Sequence, residues 1–203
     1  HGTGPIPDFE SFHDHPWADY RGSVKEVVMS EGITYIGTEC FARFDKVTEL
    51  VFPSTVEGFG ERVFFRSFNL ADITLPPVEV VPTDLFTYAN PVNVIVPEGV
   101  KELATGAFRN CTTLETITLP ESLEKIGSAA FMSCTALKSV VIPDGVEKIE
   151  DLTFHACRAL ESITLPEDID LNSWAAFSAC NKLCDENGFA VLNDALVNYS
   201  ITD

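Results

Sequence analysis

The chain has 203 residues, of which 45% are hydrophobic, a length and composition that allow a sizeable core and exclude a disordered chain. Its 31 acidic and 13 basic residues give a formal charge of -18, which repels phosphate backbones and excludes a general nucleic-acid binder. No run approaches the roughly 18 consecutive apolar residues that a membrane-spanning helix needs, so no membrane insertion is expected. The first residue is His1, with no basic-then-apolar leader, so a mature or excised piece of a longer protein is expected.

Residues 1–23 read as an N-terminal cap. They are loop-like and aromatic, with Phe9, Phe12, Trp17 and Tyr20. Such a segment is expected to cover the first unit of a stack, whose apolar edge and strand groups would otherwise be open. His13-Asp14-His15 lies here, but a metal site would need a third ligand from elsewhere, and a polar loop is the preferred reading.

Residues 24–184 are an array of about seven units. Leu114, Leu137, Leu160 and Leu183 recur at intervals of 23, as do Cys111, Cys134, Cys157 and Cys180. Pro53, Pro76, Pro97, Pro120, Pro143 and Pro166 keep nearly the same beat. So do Phe41, Phe64, Phe86, Phe108, Phe131, Phe154 and Phe177. A unit of 23 residues cannot bury its own apolar side chains, so neighbours must stack into a solenoid. Each unit opens with an alternating stretch, as in Leu114–Leu119, that reads as a strand. Its inward positions are Val27, Leu50, Ile73, Val94, Ile117, Val140 and Ile163. The proline has no N–H to give to a ladder and ends the strand. The stretch from Gly127 to Cys134 and its equivalents is too short for a long helix, and one helical or 3₁₀ turn is expected there, opposite a parallel sheet.

These columns resemble the BspA-type leucine-rich repeat, whose unit carries Ile126-Gly127, Ala130-Phe131, Cys134, Leu137, Val140, Ile142-Pro143 and Val146 here. The resemblance implies an α/β-type repeat solenoid, right-handed, with a parallel sheet on one face. It also implies a bacterial surface or secreted protein that adheres to or binds other proteins, of a host or of the extracellular matrix, without catalysis. The chain departs from the pattern at the cysteine column, which begins Phe44, Ser67, Ala89, and at Asn172-Ser173-Trp174.

The outward positions of the strands form the candidate protein-binding face. One column is Glu26, Glu49, Asp72, Asn93, Thr116, Ser139 and Ser162; the other is Val28, Val51, Thr74, Ile95, Thr118, Val141 and Thr164. Solenoids present such extended faces to ligands, whereas β-branched residues by themselves suit any strand. The alternative function is a rigid spacer within a larger cell-surface protein, and nothing in the residues separates the two.

The remaining chemistry is sparse. The column cysteines are expected to be buried thiols, since parallel neighbouring side chains give poor disulfide geometry; a local Cys180–Cys184 bridge is the alternative. Glu31, Glu98, Glu121, Asp144 and Glu167 follow the strands as a carboxylate stripe, read as solvated turns, with a calcium-attracting rim as the alternative. Lys101, Glu124 and Glu147, beside Glu102, Lys125 and Lys148, mix signs between units as surface pairs do. No phosphate loop, dinucleotide fingerprint, zinc motif or nucleophile elbow occurs, and His155 has no such elbow around it. No catalytic residue and no cofactor are therefore expected. Asn110-Cys111-Thr112 and Asn198-Tyr199-Ser200 match the glycosylation pattern, which the bacterial source implied by the resemblance would make irrelevant. Residues 185–203 read as a hairpin around Asn193-Asp194, either a cap or the start of further repeats.

Overall fold

A computed structural model of the chain describes residues 3–67, 70–183, 189–192 and 195–198. In chain order the strands are β1 (Gly4–Ile6), β2 (Glu26–Val28), β3 (Ile33–Ile36), β4 (Glu49–Val51), β5 (Gly58–Phe59), β6 (Asp72–Thr74), β7 (Val80–Val81) and β8 (Asn93–Ile95). They continue as β9 (Glu102–Leu103), β10 (Thr116–Thr118), β11 (Lys125–Ile126), β12 (Ser139–Val141), β13 (Ser162–Thr164), β14 (Phe189–Leu192) and β15 (Ala195–Asn198). The chain is a β-solenoid of parallel ladders. β2, β4, β6, β8, β10, β12 and β13 follow one another along one side and bound six full turns. Their pairing keeps equivalent residues in register, as in Ile117 beside Val94 and Val140 beside Ile163. The ladder is interrupted between β4 and β6 and between β10 and β12.

A second parallel ladder runs along the next side, through β1, β3 and β5 and then through β7, β9 and β11. The sequence gives no sign of it, because two-residue strands such as Glu102–Leu103 are too short to show an alternation. The proline between the ladders does more than end the first strand. Its carbonyl accepts the N–H of the core residue three positions on, as in Leu123 to Pro120 at 3.1 Å and Val146 to Pro143 at 3.0 Å. That closes a turn and aims the next strand.

The third side corrects one expectation. The Ala-Phe segment is not a helical or 3₁₀ turn; among the described residues the one 3₁₀ helix is Ala18–Tyr20, in the cap. The segment is a chain of overlapping β-turns. In the best-matching unit Ala130 N–H reaches Gly127 O at 3.2 Å, Met132 reaches Ala129 at 3.1 Å and Cys134 reaches Phe131 at 3.1 Å. Ala129 and Ser133, the third residues of the first and last turns, have φ of 54° and 61°. Positive φ at that place marks a type II turn. A left-handed backbone costs a non-glycine residue about 1 kcal/mol. The return is a third ladder: Ala129, Phe131 and Ser133 donate to Asp151, Thr153 and His155 of the next unit at 2.9, 2.9 and 2.7 Å. A helical turn would direct those N–H groups into its own unit.

Inside lies the phenylalanine stack. Phe41, Phe64, Phe86, Phe108, Phe131, Phe154 and Phe177 are buried, with successive ring centroids 5.2–5.8 Å apart and interplanar angles of 3–11°. The offset-parallel arrangement is forced by the repeat: identical positions in register place identical rings face over face.

The N-terminal segment completes the ladders of the first unit. β1 pairs with β3. Phe9 N–H donates to Thr38 O at 3.2 Å, and the Trp17 indole N–H donates to Cys40 O at 2.9 Å. Thr38 and Cys40 occupy the positions whose carbonyls, in later units, accept from the preceding unit. An indole thus supplies a donor that a missing coil would have supplied. Trp17 also stacks on Phe41 at 5.8 Å and extends the ring column by one. Gly37 permits the close approach, since a Cβ there would stand 1.9 Å from Pro7 O. At the other end β14 and β15 pair antiparallel, with Leu192 buried. Their connecting Asn193-Asp194 turn lies outside the described residues, as do Tyr199 and Ser200 of the second glycosylation pattern.

Candidate protein-binding face

The fourteen outward residues share one side of the first ladder. Asn93 is half-buried, and Glu26, Glu49, Asp72, Thr116, Ser139 and Ser162 are exposed, as are Val28, Val51, Thr74, Ile95, Thr118, Val141 and Thr164. Each short strand shows the same reason: its middle residue faces the core, so its two flanking residues face water.

The two columns differ in character. The polar column is cross-linked where it passes through the middle of the array. Asn93 Nδ2 donates to Asp72 Oδ1 at 2.6 Å, and Thr116 Oγ1 donates to Asn93 Oδ1 at 2.6 Å. The β-branched column holds four large apolar side chains in water: Val28 is 62% exposed, Val51 44%, Ile95 48% and Val141 62%. Val28 and Val51 are neighbours, Thr74 and Thr118 stand before and after Ile95, and Thr164 follows Val141 at the end of the column. The carboxylates of the face, Glu26, Glu49 and Asp72, are confined to its N-terminal half.

Two members of the carboxylate stripe, Glu31 and Glu98, bond to the next turn. Glu31 accepts from Ser54 N–H at 3.1 Å and from Ser54 Oγ at 3.1 Å. Glu98 accepts from the N–H groups of Glu121 and Ser122 at 3.1 and 3.2 Å. These side chains therefore tie one turn to the next. Among the described residues no group of three or more His, Cys, Asp and Glu side chains converges as a metal cage. Asp144, Glu147, Glu167 and Asp168 line an open acidic groove at the far end of the stripe.

The cysteine column has a role the sequence reading did not supply. Cys111, Cys134 and Cys157 are buried free thiols, and Cys180 is buried in the same column. Each Sγ donates to the carbonyl of the stacked phenylalanine in the preceding unit: Phe86, Phe108, Phe131 and Phe154, at 3.0–3.1 Å. Ser67, which stands in the same column, donates from Oγ to Phe41 O at 3.0 Å. The column is thus a donor position, and the serine within it was the signal. Burial pushes the Cys111 thiol up to about 12 and holds Cys40, Cys134 and Cys157 well above the ordinary thiol range. These are protonated donors, not nucleophiles. Cys184, the partner in the alternative disulfide, lies outside the described residues.

The histidines divide. His13 is exposed, beside Arg21. His15 is 3% exposed, packed among Phe9, Trp17 and Phe44, and both ring nitrogens lack a hydrogen-bond partner. His155 is half-buried, with its Nδ1 buried and unpartnered. The charges between units pair as Lys101–Glu124 at 3.8 Å and Lys125–Glu102 at 2.7 Å, whereas Lys148 turns to Glu150 of its own unit at 2.8 Å.

The sequence matches the profile of the BspA type leucine rich repeat region in six copies, over residues 18–134 and 79–187. The chain belongs to the BspA-type leucine-rich-repeat family. Among solved structures it is similar to a leucine-rich repeat protein from Bacteroides ovatus, with a TM-score of 0.65 and 24% identity over 80% of this chain and 48% of that one. It is also similar to the leucine rich repeat protein of T. pallidum, with a TM-score of 0.61 and 23% identity over 89% of this chain and 72% of that one. These likenesses carry the fold. This BspA-type chain spans about half the length of the Bacteroides ovatus protein, 48%. No curated protein matches the sequence. Among the described residues no helix is long and apolar enough to cross a membrane.

Proposed function

We propose that the chain is a non-catalytic, extracellular or cell-surface module that binds a protein partner through the outward face of its first ladder. The exposed column Val28, Val51, Ile95 and Val141 carries this reading. The fold does not require valine or isoleucine there, because Thr74, Thr118 and Thr164 hold the same position in neighbouring strands. Large apolar side chains left in water along one line gain about 25 cal/mol for each Å² that a partner covers. Adhesion to a host or extracellular-matrix protein follows from the family resemblance. The second reading, a rigid spacer, is favoured by the unbroken ring stack and by the N–H to carbonyl ladder of the turn side. Both devices stiffen the array along its axis.

The experiment is a screen of the folded chain against extracellular-matrix and host-surface proteins, in calcium and in chelator. Saturable binding that Val51→Lys abolishes supports the module. Binding that requires calcium transfers the role to the carboxylate stripe. No binding by a folded chain leaves the spacer.

A further inference from the structure

The cations of this chain fall into two groups. Every lysine from Lys101 onward lies in an ion pair: with Glu124 for Lys101 at 3.8 Å, Glu102 for Lys125 at 2.7 Å, Glu115 for Lys138 at 2.6 Å, Glu150 for Lys148 at 2.8 Å and Glu161 for Lys182 at 2.6 Å. Arg62 and Arg109 likewise meet Glu39 at 3.1 Å and Asp84 at 2.9 Å. Six cations have no ion pair among the described residues, Arg21, Lys25, Arg43, Lys46, Arg66 and Arg158, and three of them, Arg21, Arg43 and Arg66, lie against rings, Arg21 at 5.1 Å from Phe12 with a bond to Phe12 O. Arg43 lies 4.3 Å over the Phe12 ring, and Arg66 lies 5.3 Å from Phe65 and 5.4 Å from Tyr88.

Their placement follows from the turn side. Arg43 and Arg66 are the left-handed residues of equivalent turns, with φ of 62° and 59°, and Tyr88 at 60° is the third of the column. Equivalent positions in successive units are about 4.8 Å apart, so the two arginines leave neighbouring points of one edge, Arg43 toward Phe12 of the cap and Arg66 toward Tyr88 of the next unit. Ring faces fix a guanidinium but do not neutralise it. Stacking also leaves the planar rim of N–H donors free, and that fork matches a carboxylate in two parallel hydrogen bonds. Arg43 and Tyr88 are exposed; Phe12, Phe65 and Arg66 are half-buried. The result is a pre-ordered pair of donor forks flanked by apolar rings.

We propose that Arg43 and Arg66, with Phe12, Phe65 and Tyr88, form a second docking surface, which takes an extended carboxylate-rich segment of a partner protein. The overall charge of -18 decides between classes of anion. A long sulfated or phosphate polymer would carry its charge beyond the two arginines and meet repulsion there. A short acidic peptide concentrates its charge on them. Alternate side chains of an extended strand lie on one face about 6.7 Å apart, a gap from the coil spacing that a glutamate stem spans. Its methylenes can lie on the Phe65 and Tyr88 rings. This surface is on the turn side, separate from the sheet face.

The test is fluorescence anisotropy of the full chain with a labelled peptide that alternates Glu and Thr. The proposal expects saturable binding that weakens as salt rises. It expects the affinity to fall by about tenfold or more in Arg43→Gln/Arg66→Gln. The same peptide with Gln for Glu should not bind, and Val28→Ser/Val141→Ser should leave the affinity unchanged, so this surface and the sheet face succeed or fail separately. Circular dichroism and a melt confirm that the double variant is folded. Three results overturn the proposal: no binding of the Glu peptide to the folded chain, equal binding by the Arg double variant, or tighter binding of a sulfated oligosaccharide than of the peptide.

Discussion

Truncation of one ring in the middle of the stack gives a graded test of the core. Phe131 is fully buried, with Phe108 at 5.7 Å on one side and Phe154 at 5.3 Å on the other. A phenylalanine side chain buries about 150–250 Å². At about 25 cal/mol per Å² that is about 4–6 kcal/mol, of which alanine keeps its methyl share. Phe131→Ala is therefore expected to cost about 3–5 kcal/mol. Relaxation should recover little of it, because the backbone bonds from Phe108 to Ala130 and from Phe131 to Thr153, at 2.8 and 2.9 Å, keep the flanking units in place. Phe131→Leu preserves most of the volume and loses two stacking contacts, for about 1–3 kcal/mol. Urea unfolding followed by far-ultraviolet circular dichroism measures both. A loss below about 1 kcal/mol for the alanine variant, or a leucine variant as unstable as the alanine one, would refute a packed ring column.

Three further outcomes follow from named contacts. Cys134→Ser keeps a donor toward Phe108 O, as Ser67 does toward Phe41 O, so it should retain about 0.5–1 kcal/mol more stability than Cys134→Ala; the reverse order in the same urea assay would remove the donor role. Burial above all, then the charges of Arg21 and His13, lowers the pKa of His15 below 6.5, against a raising effect of Asp14. The unfolded chain then binds the extra proton first, so stability should be level above pH 6.5 and fall as pH drops through it, and melts from pH 8 to 5 should flatten in His15→Leu. Gly37→Ala would drive a Cβ to 1.9 Å from Pro7 O, so it should release the cap and shift Trp17 fluorescence, while a wild-type spectrum would mean the cap is held differently.

Much of this architecture is written in columns of the sequence. The 23-residue interval places Ile117, Val140 and Ile163 on the inside of one ladder and Thr118, Val141 and Thr164 on the outside, because side chains alternate along any strand. The phenylalanine interval likewise fixes the core. The turn side was not legible. Ala129, Leu152 and Ala175 adopt positive φ, where a sequence reader looks for glycine or asparagine. Bonds to the next unit hold them there, and those bonds exist only once the units stack. Of the aromatic residues read as cover, Phe9 and Trp17 pack against the core whereas Tyr20 is exposed, and the indole that completes a ladder has no sequence signal. The sheet-face columns could be named from alternation alone. The stacked arginines could not, since Phe12 and Arg43 are brought together only by the docking of the cap.

The sheet face is tested most directly by the affinity of Val51→Lys/Val141→Lys for a protein that the wild-type chain binds in the extracellular panel. Both side chains are exposed, so the variant should fold with an unchanged melt. The account predicts that binding weakens by about a hundredfold, the effect of two charges forced into an apolar contact. Equal affinity of variant and wild type, or no saturable binding by the folded wild-type chain to any member of the panel, would contradict it.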